Sequence, residues 1–319
     1  MILQGDALEK LKELPDESVD CVITSPPYWA LRDYGVDGQL GLEPTFQQYI
    51  TKLCDIFDEV KRVLKKEGTC WINIGDTYGG SGKGAGGVSS KSTLNGGKGV
   101  REHEKARRMA KESWSFEKAP KENGIDKCLC QIPSRFAIEM SNRGWILRNE
   151  IIWHKPNAMP SSASDRFTVD FEKVFFFVKN KKYWFEQQYD AYTEPMNRWG
   201  GDNLKAEGRS DWDSGTKQTT YRDRNMRPNE EGKNKRTVWT INTKPYKDAH
   251  FATFPEKLIE PMVLAGCPKG GTVLDIFMGS GTTLAVAKRL ERQGMGIELN
   301  PNYIKLAEKR LLEVPDSLF

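Results

Sequence analysis

The sequence predicts an α/β fold, a doubly wound sheet of about seven strands, mostly parallel, with helices on both faces. Three observations predict it. Seven strand-length runs recur along the chain, most of them are followed by a helical pattern, and several are apolar throughout rather than alternating. Continuous apolar runs are what strands buried on both faces require. The 319 residues suffice for a sizeable core.

Residues 1–4 are a short apolar strand, and 19–24 (Val-Asp-Cys-Val-Ile-Thr) are a run of the buried type. Residues 68–74 follow a helix whose apolar positions are Ile56, Val60, Val63 and Leu64, at the spacing of one helical face. Residues 145–154 follow the helical stretch 134–142, and 174–178 are nearly all apolar. Finally, 272–277 and 294–299 flank a helix over 282–292.

Two regions break this rhythm. Between 79 and 99 there are nine glycines and four serines, with Lys83, Lys91 and Lys98 among them, and no core can be built from such a composition. The next stretch, 101–127, is charged and contains Arg107-Arg108; across 79–127 eleven Lys/Arg face six Asp/Glu, a local excess of +5. Residues 186–236 are polar, with ten charges of each sign, and carry Tyr189, Tyr192, Trp199, Trp212 and Tyr221. Segments this long without a core are either functional or mobile insertions.

The overall charge, 48 Lys+Arg against 44 Asp+Glu for a net +4, permits nucleic acid as a partner only through a local basic face. No stretch approaches about 18 uncharged apolar residues, and the N-terminus lacks a basic segment leading into an apolar one. The expectation is a soluble, cytoplasmic protein. The cysteines at 21, 54, 70, 128, 130 and 267 include no Cys-x-x-Cys pair, so they read as reduced thiols acting as small core hydrophobes. With histidines scattered at 103, 154 and 250, no metal site is expected.

Near the C-terminus an apolar strand runs into Asp275-Ile276-Phe277-Met278-Gly279-Ser280-Gly281-Thr282-Thr283, a Gly-x-Gly turn followed at once by a helix. Such a turn needs glycine for positive φ and for close approach of backbone to a ligand at the helix N-terminus. It is not a P-loop, because no lysine follows Gly281. Nor is it a nicotinamide fingerprint, because Leu284 stands where glycine or alanine belongs. Glu298, at the end of the next strand, is placed to accept hydrogen bonds from ribose hydroxyls. The pair points to an adenosine-containing cofactor.

The second signal is Thr24-Ser25-Pro26-Pro27-Tyr28-Trp29, directly after the buried strand 19–24. Two consecutive prolines cannot donate to a ladder, so they fix a rigid turn at the carboxyl edge of the sheet, where ligands of open α/β sheets bind. The turn presents a hydroxyl, a carbonyl and an aromatic face.

Ser25-Pro26-Pro27-Tyr28 together with Asp275-x-Phe277-x-Gly279-x-Gly281 resembles the amino-group DNA methyltransferases, which use S-adenosylmethionine. The catalytic turn precedes the cofactor turn, an order similar to the beta arrangement of that family, a circular permutation of a Rossmann-like methyltransferase sheet. His250-Phe251-Ala252-Thr253-Phe254-Pro255 resembles a further cofactor-binding segment, Gly5-Asp6-Ala7 the motif whose acid approaches the adenine, and Trp153-His154-Lys155-Pro156-Asn157 a strand end of this group. The resemblance implies catalytic roles for Ser25, Pro26, Pro27 and Tyr28. It implies cofactor contacts from Asp6, Ala7, His250, Phe251, Ala252, Thr253, Phe254, Asp275, Phe277, Gly279, Gly281, Thr282, Thr283, Glu298 and Asn300.

The implied reaction is methylation of an exocyclic base nitrogen. That nitrogen is conjugated with its ring, so acceptors for its two hydrogens, the Ser25 oxygen and the Pro26 carbonyl, favour a lone pair aimed at the methyl group. The base must leave the duplex, with Tyr28 as its stacking platform. In the family it resembles, serine at the head of the turn leans towards N4-cytosine and aspartate towards N6-adenine, while the acceptors can bind either amino group, so cytosine is expected and adenine is the alternative. Carbon-5 methylation needs a cysteine after proline, and Cys267-Pro268 has the reverse order. A methyltransferase of RNA or of protein glutamine, and a silent DNA-binding module, are the other readings.

The expected organisation is a catalytic half (1–78), a DNA-contacting insertion (79–127), remaining sheet strands (128–185), a target-recognition region (186–240) and a cofactor-binding half (241–319). Lys and Arg of 79–127 are expected on phosphates. Base readout is expected from among Arg198, Asn203, Arg209, Gln218, Arg222 and Arg224. Double-stranded DNA is the expected partner, the resemblance implies a homodimer, and the setting is open between a cognate restriction endonuclease, a solitary regulatory methylase and a phage enzyme.

Overall fold

A computed structural model describes residues 1–29, 36, 38–79, 127–161, 163–191, 231–243 and 254–315. Its strands are β1 (Ile2–Gln4), β2 (Val19–Thr24), β3 (Leu64–Ile74), β4 (Ile146–His154), β5 (Phe171–Val178), β6 (Tyr189–Asp190), β7 (Lys233–Asn234), β8 (Val238–Thr240), β9 (Thr272–Asp275) and β10 (Gln293–Glu298). Eight of them form the main sheet, in the order β1-β10-β9-β2-β3-β5-β4-β8. Only β5 runs antiparallel to its neighbours there. All seven expected strands are present. The eighth, β8, has three residues of which only Trp239 is buried, too little for a sequence pattern, and its pairing with β4 creates it.

The helices are α1 (Ala7–Lys12), α2 (Phe46–Val63), α3 (Ile132–Asn142), α4 (Glu256–Gly266), α5 (Thr282–Arg289) and α6 (Pro301–Glu313). In α2 the Thr45 hydroxyl caps the N-terminus by accepting from the Gln48 N–H, and Tyr49, Leu53, Ile56, Phe57, Val60 and Val63 lie buried on one face. Lys61 and Arg62 occupy its last turn, where cations complement the helix dipole.

Strand alternation divides the core cleanly. Val22, Cys70, Ile72, Phe175, Phe177 and Leu274 pack with α1, α2 and α3 on one face. Cys21, Ile23, Trp71, Val174, Phe176 and Val273 pack with α4 and α5 on the other. Directly opposed across β3 and β5, the Trp71 and Phe176 rings stack at 4.0 Å. Cys21, Cys54, Cys70 and Cys267 are buried, as small core hydrophobes should be, and Cys130 joins them while Cys128 is exposed. Among the described residues no helix is long and apolar enough to cross a membrane.

The crossover from β9 through α5 runs outward to β10, whereas that from β2 through α2 runs the other way to β3, on the opposite face. The strand order therefore reverses between β9 and β2, which pair in parallel. The crevice outside the carboxyl ends of two such strands is where open α/β sheets bind ligands.

Glu186–Arg236 forms a compact unit of its own. Its described part is the antiparallel pair of β6 with β7, and Lys235 pairs with Asp190 at 3.1 Å. The expected target-recognition region extends to residue 240, but Val238–Thr240 is a strand of the main sheet.

Candidate active site

The cofactor turn leaves the end of β9 at Asp275, whose buried carboxylate holds it to the neighbouring strand. Oδ1 accepts from the Thr24 hydroxyl at 2.7 Å and the Phe277 N–H at 3.1 Å, and Oδ2 accepts from the Thr283 hydroxyl at 2.6 Å. Burial pushes the Asp275 carboxyl up to about 6 even though three hydrogen bonds pull it down. An unfolded aspartate titrates near about 4. Between roughly pH 4 and 6 the folded chain therefore holds an extra proton at this site, and stability is lost as pH rises through that window. In urea titrations, Asp275→Asn should gain on the wild type by on the order of 3 kcal/mol between pH 4 and pH 7; a pH-independent difference would contradict the assignment.

Gly279 and Gly281 both have positive φ, 54° and 76°. A Cβ on Gly281 would come within 2.8 Å of Ala307 Cβ in α6, whereas one on Gly279 would meet no described residue within 4 Å. The first glycine thus has open space beside it among the described residues, and the second allows α6 to pack. Glu298 ends β10 with its carboxylate bracing the turn: Oε2 accepts from the Gly279 N–H and Oε1 from the Asn300 N–H, both at 2.8 Å. Burial raises the Glu298 carboxyl and these backbone amides lower it. The Leu299 amide lowers it as well, and of the carboxylate's acceptor positions one remains for a further donor.

The remaining cofactor candidates divide. Asp6 accepts from the Leu8 and Glu9 N–H groups as the cap of α1, and Gly5 donates to the Glu298 carbonyl at 3.0 Å, which brings segment 5–7 beside the end of β10. Ala7 is buried, Phe277 packs half-buried against the core, and Phe254 packs on the α4 side. The side chains of Thr282 and Thr283 are committed inside the protein, to Arg310 at 2.8 Å and to Asp275. Asn300 caps α6 through the Asn302 N–H. His250, Phe251, Ala252 and Thr253 lie outside the described residues.

Ser280, which the sequence pattern passes over as the x of Gly-x-Gly, has a buried hydroxyl with no protein partner among the described residues. A buried orphan hydroxyl, an open glycine and a carboxylate with a remaining acceptor position form a donor and acceptor set that fits S-adenosylmethionine.

The Ser25-Pro26-Pro27-Tyr28 turn follows β2 on the same edge. Tyr49 donates its hydroxyl to the Pro27 carbonyl at 2.8 Å, while no described residue donates to that of Pro26. The Tyr28 ring lies on Gly75, where a Cβ would come within 2.5 Å of the ring. Tyr28 donates to Glu172 Oε2 at 2.8 Å, and burial and then this carboxylate hold its phenol well above the usual range. Ser25 is half-buried with Oγ 3.5 Å from Asn73 Oδ1. Lys155, one residue past β4, pairs with Glu172 and lies 4.2 Å from the Trp153 ring centre. Asn73 and Glu172 escape the sequence reading; Asn73 is a polar residue in an otherwise apolar run, whereas Glu172 lies between the charged Asp170 and Lys173 and carries no such signal. Among the described residues no group of side chains could hold a metal ion.

Residues 80–126 and all six readout candidates lie outside the described residues.

The family model of DNA methylases, covering the N6 and N4 types, matches residues 19–309. The type II methyltransferase M.Cfr9I of Citrobacter freundii is 40% identical over 313 residues, covering 97% of this chain and 87% of that protein. M.SmaI of Serratia marcescens is 39% identical, covering 98% and 90%. Among solved structures, the cytosine-N4-specific PvuII DNA methyltransferase superposes with a TM-score of 0.60 at 20% identity over 99% of this chain and 87% of that one. A putative DNA modification methylase of Thermus thermophilus, in complex with S-adenosyl-L-methionine, gives 0.54 at 24% identity over 98% and 95%. With its glycine turn and proline turn side by side at the switch point of a permuted Rossmann-like sheet, this chain belongs to the N6/N4 DNA methylase family and is an S-adenosylmethionine-dependent DNA methyltransferase.

Proposed function

We propose that the chain methylates the exocyclic N4 of cytosine in duplex DNA. The observation that carries this reading is the pair of acceptors at the end of β2: the Ser25 oxygen, whose proton has Asn73 and Tyr28 as protein acceptors, and a Pro26 carbonyl without a donor among the described residues. Two acceptors in a rigid turn take the two hydrogens of an amino group and leave its lone pair pointing away from them. S-adenosylmethionine, when bound, supplies a methyl group on a sulfonium sulfur. Glu298, the glycine turn and Ser280 hold the cofactor at the neighbouring strand end, so the protein contributes chiefly by positioning. Tyr28, held by Gly75 beneath and Glu172 at its hydroxyl, serves as the platform for a flipped base.

Serine at the head of the turn supports cytosine over adenine, although the same acceptors suit either amine. The basic stretch 79–127 is assigned to DNA phosphates and 186–236 to base edges, with a homodimer and a cognate endonuclease as the partners of a restriction setting. The test is transfer of labelled methyl to mixed-sequence duplex DNA, followed by nucleoside mass spectrometry. N4-methylcytosine is expected; N6-methyladenine would overturn the base assignment, and label only in RNA or peptide would overturn the substrate.

A further inference from the structure

We propose that Glu172 is a positioning residue for methyl transfer, acting through Asn73 to set the polarity of the Ser25 hydroxyl so that Ser25 offers lone pairs, not its proton, to the target amine. The proposal rests on the acceptor role of Ser25 given above.

Glu172 is the second residue of β5, with its side chain 18% exposed. Its carboxylate gathers groups from three other strand ends. Oε2 accepts from the Tyr28 hydroxyl at 2.8 Å and from Asn73 Nδ2 at 3.1 Å, and Oε1 pairs with the Lys155 ammonium. An ionised carboxylate has no hydrogen to give, so only the amide nitrogen of Asn73 can face it. The same nitrogen lies 3.3 Å from the Lys173 carbonyl, a second acceptor. Asn73 Oδ1 is thereby turned towards the catalytic turn, where Ser25 Oγ stands at 3.5 Å. Tyr28 Oη also lies 3.3 Å from Oδ1, but its single proton goes to the nearer and charged Glu172. The Ser25 proton then has Oδ1 and the Tyr28 oxygen as its acceptors, both of them oriented by Glu172, and the serine lone pairs are left for substrate. One carboxylate thus orients both groups that can accept the Ser25 proton, the Asn73 amide and the Tyr28 hydroxyl.

Substitutions that exchange donors for acceptors make this testable. In Glu172→Gln, an amide nitrogen must face either Lys155 or Asn73. The conflict is relieved by rotating the Asn73 amide, which turns its nitrogen on Ser25 and directs the serine proton at the substrate. In Asn73→Asp, two carboxylates meet where the 3.1 Å hydrogen bond stood. The double variant restores a consistent pattern. The introduced amide nitrogen at position 172 donates to the introduced carboxylate at position 73 and to the Tyr28 oxygen. The Tyr28 and Ser25 hydroxyls donate to that carboxylate, and the introduced amide oxygen keeps Lys155. Only the Lys173 carbonyl loses its donor.

Single-turnover methylation rates on duplex DNA, with S-adenosylmethionine affinity measured by calorimetry on each variant, separate the outcomes. Each single variant is expected to lose about tenfold to a hundredfold in rate, with cofactor affinity within about twofold, because the cofactor turn lies on other strands. The double variant is expected to recover to within about fivefold of the wild type. A purely structural role predicts the opposite, a double variant at or below the product of the two singles, and that result overturns the proposal. So do single variants with unchanged rates. Failure of the Ser25 reading itself is distinguishable, since Ser25→Ala would then leave the rate intact.

Discussion

Replacing Ser25 with alanine is expected to lower the single-turnover rate of methylation by about a hundredfold or more, while S-adenosylmethionine affinity stays within about twofold. Ser25 Oγ stands just past the end of β2, with Asn73 on β3 and Tyr28 of the same turn as contacts, whereas the glycine turn is braced by Asp275 and Glu298. Its removal takes one of two acceptors from the target amine and leaves the cofactor turn's hydrogen bonds untouched. An amine held only by the Pro26 carbonyl rotates, and its lone pair no longer points along the line of transfer. Rapid-quench assays and calorimetry on the same preparation give both numbers. A parallel loss of cofactor affinity would place Ser25 in the cofactor site instead.

Glu298→Ala is expected to weaken cofactor binding by at least about tenfold to a hundredfold, the cost of one or two hydrogen bonds to a charged group, while binding to duplex DNA changes little. Besides any bond to ribose, the carboxylate holds the Gly279 and Asn300 amides at 2.8 Å, so its loss leaves both amides unpaired and loosens the turn. Fluorescence anisotropy on labelled duplex and calorimetry with the cofactor distinguish the two effects. Unchanged cofactor affinity removes Glu298 from the site.

The parts of the site legible in the sequence are those in which neighbours along the chain do the work. Asp275 to Thr283 is a strand end, a glycine turn and a helix start in nine consecutive residues, and Thr24 to Trp29 is a strand end broken by two prolines. Positive φ at Gly279 and Gly281 and the lost donors of Pro26 and Pro27 are local properties, so the pattern alone reports them. The same holds for the apolar runs that form the seven expected strands. β8 is not legible, because three residues with one buried tryptophan are a strand only when β4 lies alongside.

By itself the sequence determined the fold class, the permuted order of the two turns, the cofactor class and the residues at the strand ends, because local backbone chemistry and hydrophobic period are written within a few residues. Only the tertiary structure decided which side chains meet. Asn73 and Glu172 are 99 residues apart, and Thr24 and Asp275 are 251 apart; they touch because β5 docks on β3 and β9 docks on β2. Strand order is a long-range choice, made by burying both faces of the sheet at once, and no local pattern reports which two strands it sets side by side.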